Sequence, residues 1–518
     1  MLGGRFKIAL IFLYLCLPAG APLHAQTSEQ DLVRSGMKAV SANDFAAAEK
    51  TFAQLVKRDP SPGNYYLLAT AEASAGNLKN AVTHYERSIA LGNRSASVHY
   101  NLGITQMQLH HSGQAVHEFR LALAQDPKFP QAAAVLGSAL IAAGRPAEAV
   151  SYLEQALRQT PKDPAIWANL VQCQFAANQS SGALKTIDKA TDALPENPRL
   201  EMTLASACLH HGQPEKAREL LENASELAPQ DINVKTLLAI ASLAANEPVE
   251  AIAVLKDVPA TAGDPGQIDF LRGRAYLLTG KYGKALPLLN AAIQAQPSNL
   301  EYLLTYARAL QTEGDYPKAL EALRKARALA PGQEAIPYQT AVTYAFMGRY
   351  SEAEKTCEEA LQIQPKADRV YFLLGMIQIE ENRDADGVRS LQQAVSLRPD
   401  IALYHSALGM AFFKQRSLAQ SKVELDKALN LDPKVTPAYF WRGQLLAQQG
   451  KKSDAISDFE TFVALDPNYA IAYKRLSDLY YADGQQAKAE LALTKYDSLK
   501  SRPNTSKHDA LDDLLPGN

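Results

Sequence analysis

Apolar residues recur along this chain at helical spacing, in stretches of about a dozen residues separated by short polar turns, two stretches to every 34 residues. The landmark that fixes the period is a small side chain. Ala81, Ala115, Ala149, Ala183, Ala217, Ala251, Ala285, Ala319 and Ala353 stand 34 residues apart. Gly387 and Ser421 take the next two places, and Ala455 and Ala489 resume the series. A fixed period of that length predicts stacked helical hairpins in place of separate globular cores. Such a chain is mostly surface for binding.

The stretch beginning at Ala96 shows the register. Gly103 is its eighth residue, Ala115 its twentieth, Phe119 its twenty-fourth, Ala122 its twenty-seventh and Pro127 its thirty-second. Further repeats start at Pro62, Pro130, Pro164, Pro198, Ile232, Gly266, Leu300, Glu334, Asp368, Ala402, Thr436 and Ala470, and a first, one residue short, starts at Glu29. Position eight is Gly103, Gly137, Gly273, Gly375, Gly409 or Gly443, and alanine in several other repeats. A small residue there admits the second helix, with the small residue at position twenty as its counterpart. Position fifteen is glycine or asparagine in twelve of the fourteen repeats, and these types tolerate the left-handed turn that ends a helix. His110 and Arg416 are the two departures. Prolines such as Pro127, Pro161 and Pro195 stop the second helices.

The series Gly103, Ala115, Phe119, Ala122, Pro127, repeated over nearly the whole chain, resembles the tetratricopeptide repeat. The resemblance implies an all-α fold, a right-handed superhelical solenoid of about fourteen 34-residue helix-turn-helix repeats. It also implies a concave face lined by the first helix of each repeat at positions two, five, nine, twelve and thirteen. On this chain those positions give Tyr66, Tyr100, Met107, Phe175, Phe270, Arg274, Arg308, Tyr338, Phe372, Met376, Phe413 and Phe440 as candidate partner-binding residues. No repeat pairs lysine at five with asparagine at nine, so the clamp that some relatives use for acidic C-termini is not expected. Nor is there an asparagine ladder at position six, where only Asn101 and Asn169 qualify. What remains suits an amphipathic helix or an extended apolar segment, anchored by aromatic and methionine side chains.

One interruption breaks the regularity. The second helix of the seventh repeat runs into Pro259, and ATAGDPGQ follows before the next first helix, which marks residues 259–266 as a candidate hinge. The expected organisation is a secretory leader over 1–25, an N-terminal block of repeats over 26–261, a C-terminal block over 262–500 and a flexible tail over 501–518. Leu511, Leu514 and Leu515 in that tail have the spacing of one short helix. The leader is read from Arg5 and Lys7, the apolar run IALIFLYLCL and the small residues of PAGAPLHA; the run is too short to span a bilayer.

Composition changes the picture little. The chain has 518 residues, 47% of them hydrophobic and 21% charged, as in ordinary soluble proteins. Its net charge is −2, and losing Arg5 and Lys7 with the leader makes it −4, which argues against a nucleic-acid surface or a polybasic membrane anchor. Cys173, Cys208 and Cys357 are too widely spaced for a zinc site or a disulfide framework and read as buried thiols. His99, His110, His111 and His117 gather in one repeat without converging, and His117-Glu118 lacks the second histidine of a zinc-protease helix. No phosphate-binding loop, nucleophile elbow or dinucleotide fingerprint is present, so no catalytic, metal or cofactor site is expected.

The function expected is therefore that of a non-enzymatic scaffold holding protein partners along its concave face. With a leader, it would work in the periplasm or cell envelope of a bacterium, in envelope assembly or secretion, or be secreted elsewhere, with no transmembrane segment once the leader is cleaved. A module guiding envelope glycans during polysaccharide export, and an accessory subunit recruiting substrate for a separate enzyme, are the alternatives.

Overall fold

The computed structural model describes residues 23–129 and 131–501, with side-chain surroundings from Ser28 onward. All but the last three residues of the expected leader, and the tail beyond Ser501, lie outside the described residues. Among the described residues there are twenty-eight helices, α1 (Leu23–Ser41) to α28 (Gln486–Lys500) in chain order, and no strand. They form fourteen hairpins in an all-α repeat solenoid, as the period predicts. The chain divides into two compact units, Met1–Val258 and Pro259–Asn518, each built on this plan. No helix among the described residues is long and apolar enough to cross a membrane.

Local chemistry sets the helix ends. Asp163, Asn197 and Asp231 stand before first helices and accept hydrogen bonds from the backbone N–H groups of Ala165, Leu200 and Asn233 at 2.9, 3.0 and 2.8 Å. Pro164 and Pro198 open their helices, where the missing N–H costs nothing. At position fifteen the backbone is left-handed in all fourteen repeats, including His110 at φ 62° and Arg416 at φ 63°. The turn therefore imposes its geometry even where the residue type resists it, at roughly 1 kcal/mol for a side chain with a Cβ. Arg416→Gly is expected to raise stability by about 0.5 kcal/mol, the relief being partly offset by glycine's greater freedom when unfolded. Urea unfolding measures this, and an unchanged or lower midpoint would show that the turn is not strained.

The hairpins interlock through positions eight, twenty and twenty-four. A Cβ on Gly103 would fall 2.6 Å from the Phe119 ring, and one on Gly409 2.6 Å from Leu425, because the large residue at twenty-four fills the space that the missing side chain leaves. The alanines of the 34-residue series are fully buried. Ser421, standing in for one of them, keeps its hydroxyl satisfied by donating to the Gly409 carbonyl at 2.8 Å. Positions eight and twenty thus meet, as the pattern of small residues predicts. Cys173, Cys208 and Cys357 are buried and unpaired, and burial pushes their thiols up to about 12, 11 and 12, which leaves them unreactive.

The interruption costs more than the last turn of its helix. α14 (Pro248–Leu255) has 8 residues, against 13 to 15 in every other second helix. The backbone bonds that follow are single local turns, Val258 N–H to Leu255 O, Ala262 N–H to Pro259 O and Gln267 N–H to Asp264 O. Amide hydrogen exchange over residues 256–266 is expected to be faster than in the other inter-repeat loops. Equal rates would remove the case for a locally weak point.

Candidate partner-binding face

In the second unit the first helices are α15 (Gln267–Leu278), α17 (Leu300–Glu313), α19 (Ala335–Phe346), α21 (Asp368–Glu380), α23 (Ala402–Lys414), α25 (Thr436–Gln448) and α27 (Ala470–Ala482). From α15 to α25 each touches the next first helix directly, whereas the second helices pack chiefly against the first helices on either side. The first helices thus stand closer together, and their free sides form the inner face of this unit.

Half of the twelve candidate residues are buried beneath that face. Phe270 stacks on Tyr302 with ring centroids 4.5 Å apart, and Phe372 stacks on Tyr404 at 4.9 Å. In both cases an aromatic at position five meets one at position three of the following repeat. Tyr100 lies between Phe119 and Phe129, and Phe175 lies parallel to the His211 ring at 4.8 Å. Phe440 is ringed by Trp441, Phe459, Phe462 and Tyr469, and Met376 is fully buried. These six side chains bind neighbouring repeats to one another, and the aromatic groove of the sequence reading narrows accordingly. Tyr66, Met107, Arg274, Arg308, Tyr338 and Phe413 remain half-buried. The Tyr66 hydroxyl accepts from Asn101 Nδ2 at 2.9 Å, and Arg369 lies 4.6 Å over the Tyr338 ring while its Nε pairs with Glu334 at 3.3 Å.

The structure brings two of the six together. Arg274 on α15 and Arg308 on α17 line one cavity of about 460 Å³, with Leu300, Glu301, Leu304 and Thr305 from α17, Gln333, and Gln339 from α19. Burial, and next the Arg274 charge, hold the Arg308 guanidinium below the usual arginine value. The nearest acid is Glu301, whose carboxylate is 3.9 Å from Arg274 and largely exposed. Gln339 was not among the sequence candidates. It occupies position six, where the recognisable pattern is a ladder of asparagines and a lone glutamine stands outside it.

Elsewhere, position twenty-three repeatedly ties the second helix to the first. Glu118 meets His99 at 2.7 Å, Glu424 meets the fully buried His405 at 2.6 Å, and Asp458 pairs with Arg442 at 2.7 Å. His110 and His111 sit at the turn, the latter 2.8 Å from Gln106, and among the described residues no three metal-ligating side chains gather. In the sixth repeat position twenty-three is Leu220, and Glu201 at position four is buried with Oε2 lacking any partner. Burial pushes its carboxyl from an ordinary 4.5 up to about 7. A raised carboxylate pKa leaves the fold unpenalised below pH 4.5 and progressively weaker as pH climbs to 7. Glu201→Gln is expected to match the wild type at pH 4.5 and exceed it by about 1–2 kcal/mol at pH 8. Denaturant unfolding at the two pH values tests this, and an equal difference at both would rule out titration as the cause.

Comparison with known proteins agrees with this architecture. Family profiles described as tetratricopeptide repeat match residues 140–207, 209–272 and 346–411 in one form and 34–96, 100–164, 406–469 and 440–503 in another. A profile described as anaphase-promoting complex, cyclosome, subunit 3 matches residues 271–360. Among solved structures, the crystal structure of the APC/C hetero-tetramer Cut9-Hcn1 aligns with 88% of this chain and 98% of its own at 14% identity. The TM-score of that alignment is 0.42. No curated protein matches.

Proposed function

Because the chain belongs to the tetratricopeptide repeat family, we propose that it is a non-enzymatic scaffold, exported from the cytoplasm, that holds a polypeptide segment of a partner along its first-helix face. The observation that carries this reading is the open cavity of the second unit, where half-buried apolar and charged side chains from three successive first helices face solvent together. A polypeptide matches such a mixed surface better than a glycan does. The rings on which a sugar would stack, those of Phe270 and Phe372 among them, are already stacked on protein neighbours. Export rests on the leader of residues 1–25, and envelope assembly or secretion is the setting in which an exported scaffold would work.

Photo-crosslinking residues placed at Leu304 and Tyr338 in living cells should yield a discrete protein adduct, while the same residue at exposed Leu491 on α28 should not. Adducts of equal yield at all three positions would refute a preferred face. N-terminal sequencing of the native protein is expected to begin at Gln26, and a mature chain starting at Met1 would contradict cleavage of the leader.

A further inference from the structure

Resting on the scaffold reading above, we infer that the cavity of Arg274, Arg308 and Gln339 is a subsite for the carboxylate of an aspartate or glutamate in the partner's bound segment. Two guanidinium groups line one concavity from neighbouring repeats. Arg308 is half-buried with no ion pair among the described residues, and Arg274 has only the 3.9 Å contact with Glu301, whose side chain is 65% exposed. Two like charges in partly desolvated positions, served by one exposed carboxylate 3.9 Å from only one of them, are unfavourable in the empty state, and a further carboxylate between them reduces the imbalance.

The other lining groups narrow the occupant. Oε1 of Gln339 is sealed from water and has no donor, an unusual state for a buried amide. A polypeptide offers the group that the arginines lack, a side-chain carboxylate. Leu300 and Leu304 supply an apolar wall for the methylenes of a glutamate, and about 460 Å³ holds one or two side chains. The arrangement differs from a lysine–asparagine clamp in residue type, since arginine takes position nine in two consecutive repeats and no lysine stands at position five of either.

Fluorescence anisotropy on the full chain tests the assignment with two labelled octapeptides, one alternating leucine and glutamate and one alternating leucine and glutamine. The glutamate peptide is expected to bind about tenfold or more tightly than the glutamine peptide, and Arg308→Gln to abolish that difference. A second readout separates binding from structure. Arg308→Gln should melt at or above the wild-type temperature, because it removes an uncompensated charge; a lower melting temperature would show that Arg308 holds the repeats together, and would overturn the inference. Equal binding of the two peptides, or a peptide preference unchanged in Arg308→Gln, would overturn it too. The scaffold reading fails separately: adducts at Tyr338 that form equally in wild type and Arg308→Gln leave that reading intact and remove only the carboxylate subsite.

Discussion

Phe372→Ala is expected to lower stability by about 3–5 kcal/mol, although the same position looks like a partner contact in the sequence. The ring is 1% exposed, stacked 4.9 Å from Tyr404 of the next repeat, and surrounded by Leu373, Met376 and Ile377 in one apolar cluster. Truncation removes the transfer energy of the ring and leaves a cavity that rigid helices on both sides cannot close. It also removes an aromatic pair worth about 0.5–1.5 kcal/mol beyond its buried area. The Tyr404 hydroxyl is anchored on Asp368 at 2.7 Å, so that ring is not free to swing into the hole. In a repeat stack the damage is expected at the interface between the eleventh and twelfth repeats, seen as an earlier urea transition for the second unit. A loss below about 1 kcal/mol would mean that the ring is not a core element. The functional corollary is practical: lost partner capture in Phe372 or Phe440 variants would report unfolding, whereas Arg308 variants can report binding.

How far the sequence discloses the molecule follows from what each signal encodes. The period at Ala81, Ala115 and their successors reports a backbone requirement, close approach of two helices, and only small residues meet it. Helix number, helix order and the turn at position fifteen are legible for that reason. Even His110 and Arg416, the wrong residue types for the turn, adopt its left-handed conformation because thirteen other repeats fix the geometry around the same step. The candidate face is only half legible. An aromatic at position five has the same appearance whether it points at a guest or at the next repeat. What separates the two cases is a residue 32 places further on, Tyr302 for Phe270 and Tyr404 for Phe372, and no local pattern connects them. Arg274 and Arg308 are legible because the repeat register alone places both at position nine, on the free side of the first helix. Gln339 was missed since a lone glutamine carries no periodic signal.

Gly375→Val is expected to cost about 3 kcal/mol or more, the upper part of the range for overpacking, by forcing α21 away from α22 (Asp384–Leu397). A Cβ at position 375 would lie 2.7 Å from Cγ of Leu391 and 3.0 Å from the carbonyl oxygen of Gly387. Neither neighbour can yield cheaply. Leu391 is fully buried, and the Gly387 carbonyl belongs to a helix backbone on which a Cβ at position 387 would in turn lie 3.0 Å from the Gly375 carbonyl. The two glycines form a reciprocal contact between helix backbones, and the branched methyls of valine would deepen the clash that the Cβ begins. A matched substitution isolates the cause. Gly283→Ala, near the start of α16 (Tyr282–Ala295), adds a Cβ to open space and is expected to be neutral or to stabilise by up to about 1 kcal/mol through helix propensity. Opposite signs for the two variants in urea unfolding would tie the small residue at position eight to helix approach; if both shifted alike, backbone flexibility would explain the glycines instead, and close interlocking of the hairpins would no longer account for the period.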